Sequence, residues 1–291
     1  MAGETYFGRK YVLTVGGKTF ATDPELPPLD IQFNVSRTLS EITTGGQVSI
    51  LGLSYETITP FLDLIPLGPG AARAKGLKVK LEAGYYNLGT MMIIDGYASN
   101  ASISSPPEMW LHLTVDENNV NIPDKQQFGI TKTDPPLPVT TVASALFSKF
   151  GKGFSDLTEE QIGQKVKVKA FGPAVYEFPD AIKAVTQLAK WKCQCVGSTV
   201  YAYDLLDSRS KLNPIIVTNE TGLVSVTGIT VKEATVSQFI TPVNPVSDKL
   251  QLTSKLNPHA NGRYKINKKN FRGHYYGPEW YTTYSCADRV S

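Results

Sequence analysis

Three histidines, three cysteines and two pairs of adjacent acids are the places in this chain where residue type could support chemistry. Nucleophilic catalysis needs a Ser or Cys beside a His that a carboxylate orients. The histidines are His112, His259 and His274, and no nucleophile motif accompanies them. His112 lies between Trp110 and Thr114 on the polar side of an alternating run, the position of a surface or packing histidine. His259 follows Asn257-Pro258 in a loop, and His274 follows Arg272-Gly273. Cys193 and Cys195 stand two apart in a strand-like run, where a disulfide between them would be strained, and with Cys286 they are too few for a disulfide framework. A structural zinc wants four ligands, and no second Cys or His pair follows at a suitable spacing. All three cysteines read as small buried hydrophobes.

Glu159-Glu160 reads as a helix surface and Asp116-Glu117 as a strand end. Glycosidase carboxylates need not be neighbours in sequence. An enzyme of the cell wall would therefore draw on Glu159, Glu160, or Asp288 near His274. There is no phosphate loop and no dinucleotide fingerprint. The expectation is a non-enzyme: no catalytic residue, no cofactor-binding residue, no metal ligand and no cofactor.

The basic run Arg263 to Arg272, with Tyr264 and Phe271 interleaved, could touch a phosphate backbone. The charge does not extend along the chain, so it reads as the wet face and turn of a hairpin. A net charge of +3 points to neither nucleic acid nor membrane. The start lacks a basic segment followed by an apolar core, and no run approaches the length of a membrane helix, so folding in the cytoplasm is expected.

The elements that must position these residues are mostly strands. The organising stretch is a hairpin over 76–98. Leu77, Val79, Leu81 and Ala83 alternate with Lys78, Lys80 and Glu82, as in a strand with one core face and one wet face. Its return arm Met91-Met92-Ile93-Ile94 is apolar throughout and reads as covered on both sides. Before it, Tyr11–Val15 turns at Gly16-Gly17 into Lys18–Phe20. Ile31, Phe33 and Val35 alternate against Gln32, Asn34 and Ser36, another strand runs from Gln47 to Leu51, and Met109–Val115 closes the set. Between them Ser54 caps a short helix carrying Ile58, Phe61, Leu62 and Ile65 inward, or Thr59 caps it with Pro60 at its first position. Pro and Gly mark 66–76 as a loop.

Beyond Asp116 the pattern changes. Pro123, Pro135, Pro136 and Pro138 mark a boundary, Thr141–Phe150 and Leu157–Ile162 read as helices, and 165–170 as a strand with a lysine face. A firmer helix follows Phe178-Pro179-Asp180, with Ile182, Val185, Leu188 and Ala189 on one stripe. Trp191 leads into strands at 194–196 and 200–203. Short strands return at 215–217, 222–226, 249–253, 263–266 and 280–284. A strand, polar loop, Gly and strand unit recurs at 77–97 and 249–268. With 41% hydrophobic residues, 14 Tyr and 19 Pro, the chain reads as mainly β (α+β overall). Two similar small β-barrel domains, 1–116 and 210–291, would flank a small α+β domain, 117–209.

The order of features from Asp30-Ile31-Gln32-Phe33-Asn34-Val35, through Gly52-Leu53-Ser54-Tyr55-Glu56-Thr57, to Val79–Tyr85 and Ile94-Asp95-Gly96-Tyr97 resembles the N-terminal domain of baseplate hub proteins of contractile-tailed bacteriophages. Thr221–Val224, Leu250–Ser254, Asn261–Ile266, Phe271-Arg272-Gly273 and Glu279–Thr282 resemble that family's closing barrel. Many relatives have His then Gly-Asp where this chain has Phe271-Arg272-Gly273-His274. The resemblance implies a structural protein, a homotrimer whose two barrels per subunit make a pseudo-sixfold ring. It implies as partners the tail tube protein, the central spike protein and other baseplate proteins, with the tape measure protein a further candidate. Phage DNA could pass through such a ring without specific nucleic-acid binding. The implied location is the virion, in the tail baseplate, after assembly in the bacterial host cytoplasm. Some relatives carry a cell-wall hydrolase; here the chain ends at Ser291, soon after Trp280, so none is expected. The alternatives are the hub of a related contractile injection system, a cell-wall-degrading tail enzyme, or a receptor- or carbohydrate-binding β protein.

Overall fold

A computed structural model describes residues 8–23, 26–38, 44–65, 76–105, 107–117, 125–131, 135–156, 166–189, 191–204, 213–243 and 247–290. In chain order the elements are β1 (Arg9–Val15), β2 (Lys18–Ala21), β3 (Ile31–Thr38), β4 (Thr44–Leu51), α1 (Tyr55–Leu62), β5 (Leu77–Tyr85), β6 (Gly89–Ile103) and β7 (Trp110–Asp116). Then come β8 (Gln126–Ile130), β9 (Leu137–Pro138), α2 (Val139–Ser148), β10 (Gly153–Asp156), β11 (Lys167–Val168), β12 (Phe171–Tyr176), α3 (Phe178–Ala189), β13 (Trp191–Val196) and β14 (Thr199–Asp204). The chain closes with β15 (Ile215–Thr218), β16 (Leu223–Thr227), β17 (Ala234–Phe239), β18 (Lys249–Thr253), a 3-10 turn at Pro258–Ala260, β19 (Gly262–His274) and β20 (Trp280–Val290). Two compact units result. Residues 1–120 and 214–291 form the first, and 121–213 the second.

In the first unit thirteen strands share one sheet, ordered β16-β17-β20-β19-β3-β4-β7-β6-β5-β1-β2, with β18 joining β19 to β15. The mainly β reading holds. The terminal strand sets do not lie in separate sheets, because β3 pairs with the C-terminal half of β19, and among the described residues no strand order closes into a barrel. The long β19 makes this possible by pairing β18 with its first residues and β3 with its last.

The organising hairpin is β5 with β6. Leu77, Val79, Leu81 and Ala83 are fully buried, as alternation requires, while Lys78 pairs with Asp95 and Lys80 with Glu82 on the outer side. The apolar run in β6 has its own cause. Leu81 pairs with Ile94 and Glu82 with Met92, so Ile93 is an extra, bulged residue, and both Ile93 and Ile94 point into protein. The second strand-loop-Gly-strand unit, β18 with β19, is likewise an antiparallel hairpin. Helix α1 begins after Ser54 and keeps Pro60 inside it, so the later start at Thr59 does not occur. The Thr59 hydroxyl donates back to the Tyr55 carbonyl (2.9 Å). Ile58, Phe61 and Ile65 are buried as expected.

Two apolar cores fill this unit. One gathers Tyr11, Leu13, Phe33, Val48, Leu81 and Leu113 with Phe271 and Trp280 from the C-terminal strands. The other gathers Val217, Val236, Leu252, Tyr264, Ile266 and Tyr284.

The second unit has a three-stranded sheet, β10-β14-β13, with α2 and α3. The stripe on α3 is Phe178, Ala181, Ile182, Val185 and Ala189, whereas Leu188, expected on it, is 38% exposed. The expected strand at 165–170 shrinks to Lys167–Val168, paired with Leu137–Pro138. The expected helix at 157–162, with Glu159 and Glu160, lies outside the described residues.

Candidate assembly surface

Alternation in β3 sends Ile31, Phe33, Val35 and Arg37 inward and Gln32, Asn34 and Ser36 outward. Register extends that split across neighbouring strands, because directly paired residues share a face. On the outer face Ser36 is flanked by Asn270, Thr283, Ser237 and Ser225 on one side. On the other it is flanked by Gly45, Asp116 and Tyr97. This row crosses eight strands from β16 to β6. A second row runs His274, Gln32, Ser49, His112, Ser102. The face is hydroxyls and amides, with few charges and few aliphatic side chains.

Several of these groups bond one another. Ser237 and Thr283 hydroxyls meet at 3.2 Å, Ser49 Oγ and His112 Nδ1 at 2.9 Å, and His274 Nε2 and Asp30 Oδ2 at 3.0 Å. Trp110 stacks on His112 and meets His274 edge-on. Arg272 and Glu279 approach to 3.9 Å, both 45% exposed. Two open clefts indent the face. One of about 350 Å³ is lined by Ser225, Ser237, Asn270, Arg272, Tyr281 and Thr283, and one of about 150 Å³ by Gln32, Asn34, Gln47, Ser49, His274 and Glu279.

The eight-strand stretch has two margins. Among the described residues β16 pairs with β17 alone, and the end of β6, Asn100–Ile103, pairs with β7 alone. Val224 on β16 is 46% exposed.

Behind this face, between the two cores, lies a buried polar layer. Arg37 and Glu117 form an ion pair at 3.5 Å with both side chains fully buried. Arg37 also donates to Thr44 Oγ1 (3.2 Å) and to the carbonyl of the bulged Ile93 (3.4 Å), and its guanidinium lies 5.5 Å from the Phe271 ring. Glu117 accepts from the Asp95 amide (3.3 Å). The chain reaches this point by passing tightly over Gly96, where a Cβ would collide with the Asp116 carbonyl. Gln238, Thr282 and Ser247 are buried in the same unit, and Tyr284 Oη donates to Gln238 Oε1 (3.3 Å).

Lys269 belongs to this layer, which corrects the reading of 263–272 as a wet hairpin turn. The run is one strand. Asn267 is extra in the pairing with β20, so the alternation that buries Tyr264 and Ile266 resumes one residue late and buries Lys269 and Phe271. Arg263, Lys265, Lys268 and Arg272 stay exposed.

Glu159 and Glu160 lie outside the described residues, and among the described ones those singled out for possible chemistry do not come together as a catalytic set: His274 meets Asp30 rather than Asp288, and Asp288 is exposed with φ of 50°. Ser49 and His112 form a pair, but among the described residues no carboxylate orients that imidazole. His259 is exposed in the 3-10 turn. The cysteines are free and buried, and burial pushes the Cys193 thiol up to about 11 and the Cys286 thiol up to about 12. Among the described residues no three His, Cys, Asp or Glu side chains group to hold a metal, and no helix is long and apolar enough to cross a membrane.

This architecture is that of tail proteins. A tail protein of Neisseria meningitidis MC58 is similar over 97% of both chains, at 9% identity and a TM-score of 0.58. The 43 kDa tail protein of prophage MuSo2 from Shewanella oneidensis is similar over 96% of this chain and 98% of its own, at 8% identity and a TM-score of 0.55. The Escherichia coli c3393 protein covers 96% of this chain and 77% of its own, at 9% identity and a TM-score of 0.55. It is described as a type VI secretion component structurally similar to the T4 bacteriophage tail proteins gp27 and gp5. At such identities the likeness shows the fold alone. No curated protein matches in sequence. The family model Baseplate hub gp41 matches residues 10–286, and the chain belongs to that baseplate hub family.

Proposed function

We propose that the chain is a structural subunit of a contractile-tail baseplate hub, a homotrimer whose pseudo-sixfold ring joins the hexameric tail tube to the trimeric central spike. It acts without catalysis or cofactor, by symmetry and surface. The observation that carries this reading is the eight-strand stretch, polar on its outer face, with margins at β16 and at Asn100–Ile103 of β6, the earlier part of β6 continuing the sheet into β5. An open sheet margin tends to pair with another chain. Three copies joined margin to margin would present six four-strand segments, a fit between threefold and sixfold neighbours. The polar face would then surround a passage that DNA traverses without base-specific contacts. In this reading 1–116 and 210–291 build the ring, 117–209 decorates it, and the other partners are neighbouring baseplate proteins and the tape measure protein. Assembly takes place in the bacterial host cytoplasm and the product is a virion component.

A second reading, the hub of a related injection machine, is favoured by the likeness to the Escherichia coli type VI secretion component. Imaging of the hub with its spike, or of the assembled particle, tests both. Three copies in a ring are expected. Density with one or six copies, or contacts made only through 117–209, overturns the architecture.

A further inference from the structure

Beyond the eight-strand stretch the sheet runs on through β5 and β1 to β2, its last strand. Among the described residues β2 pairs with β1 alone. The two-residue turn at Gly16-Gly17 and the Thr22 amide, which donates to the Tyr11 carbonyl (3.1 Å), fix which groups that pairing uses. Lys18, Phe20 and Thr22 turn their main-chain groups to β1, so the N–H and C=O of Thr19 and Ala21 point away from it, about 7 Å apart. None of these four groups has a partner among the described residues.

They open onto a cleft of about 420 Å³, lined by Thr19–Asp23, by the strap Leu26-Pro27-Pro28-Leu29 and by Tyr11. Two phenols hold the strap in place: Tyr11 Oη donates to the Leu29 carbonyl (2.8 Å) and Tyr276 Oη to the Pro28 carbonyl (3.0 Å). Leu26 at its tip is 65% exposed. A cleft held open in this way needs little ordering when it binds. On the inward row of β2, Phe20 is half-buried against the core, and Lys18 is exposed, its amine 6.0 Å from the Phe61 ring and without a carboxylate partner among the described residues. A lysine often guards an edge against pairing. Here it stands at the turn end, and Thr19-Phe20-Ala21 beside the cleft carries no charge.

We propose that this cleft is a strand-addition site: it takes an extended segment of a neighbouring baseplate protein, antiparallel to β2, on the main-chain groups of Thr19 and Ala21. Opposite Phe20 that segment carries an apolar side chain, and two residues further toward its C-terminus, opposite Lys18, an acid. The source of the segment rests on the hub reading, in which the ring uses β16 and β6 and leaves β2 over. The site itself rests on the open edge and its cleft.

Fluorescence polarisation with the labelled peptide Thr-Val-Thr-Leu-Thr-Glu-Thr, added to the intact protein, reads the site. Saturable binding is expected, the leucine against Phe20 and the glutamate against Lys18. Ala21→Pro deletes an outward N–H and no bond to β1, so it should weaken binding about tenfold with the thermal melt unchanged. No binding to the wild type, or equal binding to Ala21→Pro, overturns the site; equal binding of a peptide with lysine in place of the glutamate overturns the acidic preference. Should Ala21→Pro not fold, amide exchange of the wild type decides: the peptide should protect Thr19 and Ala21, and unprotected amides overturn the site. In the assembled baseplate the same two amides should exchange more slowly than in the free protein. Equal exchange overturns the baseplate partner, and so does slowing that appears in the free protein as its concentration rises, which assigns the edge to a second copy. Peptide binding is independent of how many copies form the ring, so the site and the hub reading can fail separately.

Discussion

The indole Nε1 of Trp280 donates to the Gly84 carbonyl at 3.0 Å across 196 residues of sequence. It ties the start of β20 to the end of β5, inside a core where Phe33 packs edge-on to the same indole (5.3 Å) and Arg9 lies 5.5 Å from it. Gly84 has no side chain because a Cβ there would collide with the Gly89 carbonyl across the hairpin.

Trp280→Phe keeps an aromatic ring and deletes the donor, stranding a buried acceptor. Stability should fall by about 1–3 kcal/mol, plus the smaller ring's packing loss. Denaturant unfolding measures it, and an unchanged midpoint would show that the hydrogen bond contributes nothing.

Glu117→Gln removes the charge that balances Arg37 in the buried layer. Breaking a buried pair on one side costs about 3–5 kcal/mol, whereas replacing both partners by apolar groups is often near neutral. The double change Arg37→Met with Glu117→Leu should therefore be milder than Glu117→Gln alone. Equal or greater loss in the double variant would mean that the layer acts through hydrogen bonds other than this pair.

Leu81 is fully buried, whereas the neighbouring Lys80 turns its half-exposed amine to Glu82. Leu81→Ala should cost about 2–5 kcal/mol and Lys80→Ala within about 0.5 kcal/mol. Thermal melts of the two variants compare them; a larger effect at Lys80 would contradict the register.

Most strands are legible in the sequence because one face of each is buried and the other wet. In β3 even Arg37 is in phase with Ile31, Phe33 and Val35, so its burial can be read from the sequence. Lys269 cannot be placed by alternation, since the bulge at Asn267 depends on pairing with β20. Strand β17 is absent from the expected strands although Ala234, Val236 and Gln238 alternate as buried residues. The polar outer face is visible strand by strand, as Gln32, Asn34 and Ser36 show. Its continuity depends on the β3–β19 register, which local periodicity does not contain. The resemblance carries the family, because order along the chain survives where no single motif is specific.

Arg9 Nη1 donates to the carbonyls of His274, Tyr275 and Gly277, and the Tyr275 bond spans 266 residues. The first strand therefore cannot complete its bonds until the last hairpin has been synthesised. During translation the nascent N-terminal strands must wait, with the places of Ile240, Phe271 and Trp280 in their core unfilled, while the whole of 121–213 emerges and has time to fold on its own contacts. Pairings so distant in sequence are slow to find. The interval before β19 arrives is thus when the chain is open to aggregation or chaperone capture, and shortening the intervening unit should narrow it.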